Sequence, residues 1–272
     1  MSNAADGSNP PAVAWQPLTF GGVAAFAIAK LGRVLLAAFL AVVIFAACFV
    51  WFLQRDYSPI ILRAIQQMPE SARVADGSLQ GVPDNLITES KLLAIAVTPG
   101  SSAEIGQDAD IQIQLRQTDF CVNSIFQPNR GLLFDYDRDA SLKLSRSTLE
   151  PWWGAWHPVM LAAAAVGAMV FLCAIWALLA TVYMLPVKFI TWFADRNLSW
   201  PGAWKLSFAA MTPAAVVMTF GFFLYGWHAI DLVQLSFFWV AHLVIGWVYV
   251  IGATLKMPRL LPRSVPKQNP FA

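Results

Sequence analysis

Charge is what this sequence has least of. Asp, Glu, Lys and Arg make up 12% of its 272 residues, about half the share of an ordinary soluble domain. With 58% hydrophobic residues and a mean hydropathy of +0.57, it is neither a disordered tail nor a usual soluble globule. Three Cys and three His are too few and too scattered for a zinc framework or a disulfide scaffold. The balance of 18 basic against 16 acidic residues gives no general electrostatic case for nucleic acid, and no nucleic-acid partner is expected. Also missing are a Walker loop, a dinucleotide fingerprint, a Cys pair and a zinc-protease motif.

Long apolar runs are present instead. Residues 34–53 carry no charge and no Pro, and about 20 such residues cross a hydrocarbon core roughly 30 Å thick. Lys30 and Arg33 precede this run, and Gln54, Arg55 and Asp56 follow it. Further spans are expected at 158–187, 206–227 and 232–255, the last two joined by a tight connection. Pro213 falls within the third and is expected to kink it. The lipid bilayer is therefore the first expected partner.

Lys and Arg in the short segments set orientation. Lys30 and Arg33 close segment 1–33, Lys188, Arg196 and Lys205 occupy loop 188–205, and Lys256, Arg259, Arg263 and Lys267 occupy tail 256–272. All three are expected on the cytoplasmic side of a bacterial inner membrane, with both termini cytoplasmic. The connection after span three holds His228 and Asp231 but no Lys or Arg. Residues 54–157 then form an extracytoplasmic domain, with nine basic and thirteen acidic residues. Trp rings favour the headgroup level. Trp51, Trp152, Trp153, Trp156 and Trp227 mark the outer interface, and Trp192, Trp200 and Trp204 the inner one. Trp176, Trp239 and Trp247 fall within spans and need packing partners.

Span one reads as an uncleaved anchor, since it is longer than a signal h-region and no small-x-small site follows it. Phe45-Ala46-Ala47-Cys48 resembles a lipobox, but Phe49 to Leu53 continue the apolar run; a buried thiol in a helix is the better account. Residues 1–14 read as a flexible tail. Phe20 to Ile28 read as a short interfacial helix or an extension of span one. Pro258, Pro262, Pro266 and Pro270 stop helix and leave a basic tail.

Within 54–157, Ser58-Pro59 reads as a helix start, and Ile61, Leu62, Ile65 and Met68 recur at helical spacing up to Pro69. The period then changes to two. Asp76-Gly77 signals a hairpin, and strands are expected at 92–98, 111–115, 120–125, 132–136 and 142–144. The fold class expected is membrane α-helical: four transmembrane helices with a small β-rich extracytoplasmic domain between helices one and two. The domain returns to the membrane through an aromatic segment, 149–156, suited to lying on the bilayer.

Candidate chemistry is sparse. The domain has no His before His157, so a Ser-His-Asp or Cys-His arrangement is not expected within it. Asp135, Asp137 and Asp139 have the opening spacing of a calcium loop, but Ala140 stands where Gly is needed and Arg146 where Glu is needed. They are the only metal-site candidates, against a solvated strand face or turn. On span four, Asp231, His242, Tyr249 and Lys256 fall within roughly 40° of one another at helical period, flanked by Gln234, Trp239 and Gly246. Ionisable groups in lipid mark proton paths or cofactor sites, or are satisfied by neighbouring helices. Asp231, His242 and Tyr249 are thus proton-path candidates, and His242 a candidate for haem or quinone; a packing His is the simpler reading, and no cofactor is predicted. Ala163, Gly167, Ala174, Ala177 and Thr181 form a small-residue stripe on span two, read as a close-packing face. Thr212 and Thr219 on span three are each expected to bond their own helix. No inverted repeat of the transporter kind is visible.

Met68-Pro69 through Asp76-Gly77-Ser78-Leu79, with Pro151-Trp152-Trp153 re-entering the bilayer, resembles bacterial inner-membrane proteins in which one helix, an external domain and further helices follow in this order. The resemblance implies a layout and brings no activity or functional residue. The expectation is a noncatalytic accessory, assembly or sensing protein whose external domain contacts other envelope proteins or a membrane complex. The alternatives are a proton-coupled transporter and a haem- or quinone-binding subunit of a redox complex.

Overall fold

A computed structural model describes residues 16–83, 86–99 and 109–259. The expected tail at 1–14, and Pro262, Arg263, Pro266, Lys267 and Pro270, lie outside the described residues. The chain forms two compact units, one from Met1–Ala46, Ala168–Leu224 and Val233–Ala272, the other from Ala47–Gly167 and Tyr225–Leu232.

Four helices are long and apolar enough to cross a membrane. They are α2 (Leu31–Phe52), continued by a π turn (Leu53–Tyr57) and α3 (Ser58–Gln67); α4 (Arg146–Phe193); α5 (Trp200–Gly226); and α6 (Leu232–Leu255). A short α1 (Phe20–Phe26) precedes them, capped by Thr19, whose Oγ1 accepts from the Gly22 N–H at 3.1 Å. Phe20 to Ile28 thus holds a separate helix and not an extension of α2.

The first unit packs apolar faces of these helices. Trp176, Ala180, Tyr183 and Val187 face inward from α4, meeting Leu206 and Ala210 of α5 and Val250 and Ala253 of α6. Lipid tails are as apolar as Leu, so close packing rather than water release must hold such helices. Small residues that permit it are densest on α5, where Ala203, Ala209, Ala210 and Ala214 are buried, and are joined by Ala180 of α4, Ala253 of α6, and Ala38 and Ala41 of α2. The stripe expected on span two is corrected in part: Ala177 is half-buried against this core, but the other four positions are not. Ala163, Gly167, Ala174 and Thr181 are exposed, and nothing lies within 4 Å of a side chain added at Gly167. Smallness permits approach; position decides whether it happens. Helix α5 runs unbroken through Pro213.

The basic segments of this unit converge. The Lys205 ammonium donates to the Ala29 carbonyl at 2.7 Å, and the Arg196 guanidinium to the Met257 carbonyl at 2.6 Å. The Asn197 N–H meets the Pro258 carbonyl at 3.1 Å, and Arg196 and Arg259 form an isolated bridge. The segment before α2, the α4–α5 connection and the start of the tail therefore lie together, as cations near carbonyls left open at helix ends.

The second unit holds the strands. Sheet order β3-β4-β5-β6-β7 is formed by Leu86–Glu89, Leu93–Val97, Ile111–Leu115, Asp119–Ser124 and Gln127–Asp135, with β4 and β5 parallel and the other pairs antiparallel. A smaller sheet, β2-β1-β8, joins Ser78–Gln80, Arg73–Ala75 and Leu142–Lys143. Asp76 and Gly77 connect β1 to β2 with φ of +53° and +67°, as the favoured two-residue hairpin turn requires. Every residue of β4 is buried, and Leu93 and Ile95 pack with Ile60 and Ala64 of α3. On α3 the expected cap is corrected: the Ser58 hydroxyl donates backward to the Leu53 carbonyl at 3.0 Å, because no break precedes it. Polarity changes at Gln54 to Asp56 while the backbone stays helical through the π turn. Residues 149–156 likewise form early turns of α4, and strand β3 was not among the strands expected from the period.

Candidate functional site

The second unit collects polar groups that the sequence scatters. Asp56 lies on the π turn, a geometry that recurs at functional positions. Its Oδ1 is 3.0 Å from His228 Nε2, its side chain is 8% exposed, and its Oδ2 is buried without a hydrogen-bond partner. His228 reaches it from the α5–α6 connection with φ of +61°, a conformation uncommon outside Gly. Asp110 precedes β5, its N–H bonded to the Lys91 carbonyl and its own carbonyl accepting from Ile125. Both ends of its backbone are thus fixed, and its carboxylate, 3% exposed as a residue, accepts from the Tyr225 hydroxyl at 2.7 Å.

Ser58 Oγ is 2.7 Å from His157 Nε2. No local pattern predicts a Ser-His contact here, and α4 supplies it by carrying His157 back beside α3. The Ser58 hydroxyl is within donating reach of both the Leu53 carbonyl and His157 Nε2, and the ring's tautomer sets which way the second bond runs. The two carboxylates are engaged elsewhere, Asp56 with His228 and Asp110 with Tyr225. The His157 ring stacks on Trp153 at 4.7 Å. Together these bonds tie α3, the sheet, α4 and the α5–α6 connection within one unit.

The first unit contains a cavity of about 240 Å³ lined by residues of α2, α4, α5 and α6, among them His242. His242 Nδ1 is buried beside the Phe238 and Trp239 backbone of its own helix and is not exposed on the cavity wall. Trp239 lies 6.1 Å from the imidazole, centre to centre. Tyr249, two turns further on, is committed elsewhere: its hydroxyl donates to the Leu18 carbonyl at 2.7 Å and its ring packs on Phe20. No hydrogen bond joins His242 to Tyr249 among the described residues, and Asp231 belongs to the second unit. Thr219 bonds the Ala215 carbonyl at 2.7 Å as expected, whereas Thr212 Oγ1 is buried without a partner.

Asp135 ends β7, and Asp137 and Asp139 form the following turn, where Asp137 Oδ1 accepts from the Asp139 N–H at 3.0 Å. No group of three His, Cys, Asp or Glu placed to hold a metal occurs among the described residues. Of the expected interface rings, Trp152, Trp156, Trp192 and Trp200 are exposed, and Trp200 also lies under the Lys188 ammonium. Trp204 instead donates to Thr181 Oγ1 at 3.1 Å and stacks on Phe208.

The fold defines a class: a chain with four helices long and apolar enough to span a membrane, and a small sheet domain. No protein-family model matches it, nor does any curated protein or solved structure.

Proposed function

We propose that this chain is a noncatalytic accessory protein of the bacterial inner membrane, which holds its sheet domain on the outer side to dock an extended strand of another envelope protein. The observation that carries this reading is the edge strand β7. Leu132, Leu133 and Phe134 are 66%, 60% and 46% exposed, so apolar side chains project from both faces of one free edge. Tyr136 and Asp119 fix the register: the Tyr136 N–H bonds Thr118, and the Asp119 carbonyl accepts from Arg116. By alternation, Phe134 and Leu132 bond to β6, and the backbone groups of Leu133 and Asp135 point away from the sheet. Natural edges of this length are blunted with charge, Pro or a covering element; β7 carries Pro128 and Arg130 in its first half and Leu and Phe in its last, so the open stretch is residues 132–135. Addition of an apolar strand supplies main-chain bonds for affinity and side-chain contacts on both faces for specificity. The acidic turn at Asp137 and Asp139 favours a Lys or Arg at the adjoining end of that strand.

The test is a photoreactive residue at position 133 in native membranes. A single crosslinked partner is expected, and Leu133→Pro, which removes an outward donor from the edge, should abolish it while circular dichroism is unchanged. Crosslinking that persists in the Pro variant, or yields only copies of this chain, contradicts the reading.

A further inference from the structure

Where the basic segments of the first unit converge they enclose a second cavity, of about 500 Å³ and open on one side. That volume lies within the roughly 300–1,000 Å³ of small-molecule sites. Gly21 of α1 and the following Ile28 form one wall, Asn197 and Ser199 of the α4–α5 connection another, and Lys256 and Met257, just past α6, the third. Three cations tie these walls together. The Lys205 ammonium caps the Ala29 carbonyl at 2.7 Å, and the Lys188 ammonium and Arg196 guanidinium cap the Leu198 and Met257 carbonyls, both at 2.6 Å. Each covers an oxygen whose partial negative charge would otherwise oppose an anion at this rim.

The donors left over are uncommitted. The Lys256 ammonium and the Asn197 side-chain amide make no hydrogen bond or ion pair among the described residues. Ser199 Oγ accepts from the Gly202 N–H at 3.2 Å and keeps its own O–H to give. All three residues are exposed, so a guest can reach them. Residues 16–33, 188–205 and 256–259 together hold seven Lys and Arg and one acid, Asp195, which does not line the cavity. An anion is therefore favoured there, and a guest that carries its own ammonium is opposed. The rest of the lining is apolar, and Ile28, 73% exposed, carries it out to the molecular surface. The guest that fits has an anionic head and a hydrocarbon tail.

We infer that this cavity holds the phosphodiester headgroup of an anionic phospholipid, with the phosphate on Lys256, Asn197 and Ser199 and an acyl chain leaving along Ile28. Basic recesses between membrane helices bind such headgroups, and the exposed Trp200, next after Ser199, suits the headgroup level. The inference rests on the reading of the helices as membrane spans and is independent of docking at β7.

The experiment places the full chain in nanodiscs with a rising share of phosphatidylglycerol in phosphatidylethanolamine of matched chains, and counts the lipids retained on release by native mass spectrometry. One phosphatidylglycerol is expected to stay bound in preference to phosphatidylethanolamine. Excess glycerophosphate should not displace it, because the headgroup alone lacks the chain contacts. Lys256→Gln should raise the half-saturating share about fivefold, the effect of one Lys near an anionic headgroup, and Lys256→Arg should keep the wild-type value. Lys30→Gln removes the same charge away from the cavity wall and should leave retention nearly unchanged. Nothing lies within 4 Å of a side chain started at Gly21, so Gly21→Phe fills the cavity without altering charge and should abolish retention. Equal retention of the two lipids, equal losses in Lys30→Gln and Lys256→Gln, or displacement by glycerophosphate overturns the inference. If Gly21→Phe does not fold, the Lys variants decide alone. A chain that does not enter the nanodisc overturns this inference together with the membrane reading, whereas loss of β7 crosslinking leaves lipid retention intact.

Discussion

Tyr136 is a residue whose chemistry the period-two pattern hides. Its hydroxyl is buried without a hydrogen-bond partner, and burial, followed by the nearby Asp119 charge, pushes the phenol up to about 12. The ordinary value is about 10. A folded-state pKa raised in this way contributes stability that is present below pH ~10 and lost as pH rises toward ~12. Unfolding in urea followed by circular dichroism should show that loss in the wild type. Tyr136→Phe should shrink the alkaline loss and, at neutral pH, be neutral or stabilising by about 1 kcal/mol, because it removes an unpaired hydroxyl. An unchanged alkaline slope in the Phe variant contradicts this. The polar ties of the second unit share this illegibility. Ser58 and His157 are 99 residues apart, Asp110 and Tyr225 115, and Asp56 and His228 172; no local pattern announces a partner at such separations.

At the level of elements, local physics was readable where local physics decides. Asp76-Gly77 makes its hairpin because both residues take positive φ, and the apolar run 92–98 is a strand buried at every position of β4. Boundaries failed where polarity and backbone part company, as between α2 and α3, because a polar triplet ends an apolar run without ending a helix. The face of α4 that packs was also unreadable, since nearly every side of it is apolar and nothing in composition selects Trp176 and Tyr183 over Gly167 and Ala174. Gly131 on β7 has a particular packing role. A Cβ there would fall 2.0 Å from Asn123 Oδ1 and 2.5 Å from Cys121 Sγ, both on the neighbouring β6. Gly131→Ala should therefore destabilise the sheet by about 1–3 kcal/mol through overpacking, measured as a lower urea midpoint with unchanged slope. A midpoint equal to wild type would show that β6 yields without strain.

For the whole molecule, segments far apart in the sequence meet in two sets of contacts. Ala29, Arg196, Lys205 and Met257 come together in one unit, and Asp56 and His228 in the other. The four apolar helices and the small sheet domain were legible from hydropathy and period, while the His242 cavity was legible only as an imidazole on an apolar helix. Its volume and walls depend on which faces of four helices meet.

The central claim, that the sheet domain stands outside the membrane and the basic segments inside, is tested most directly by side-specific labelling. Ser141→Cys and Asn197→Cys, each placed in a chain whose Cys48, Cys121 and Cys173 are replaced by Ser, would be exposed to a membrane-impermeant maleimide in spheroplasts. Position 141 is predicted to label at once and position 197 only after permeabilisation; labelling of both, or neither, before the membrane is opened would contradict the account.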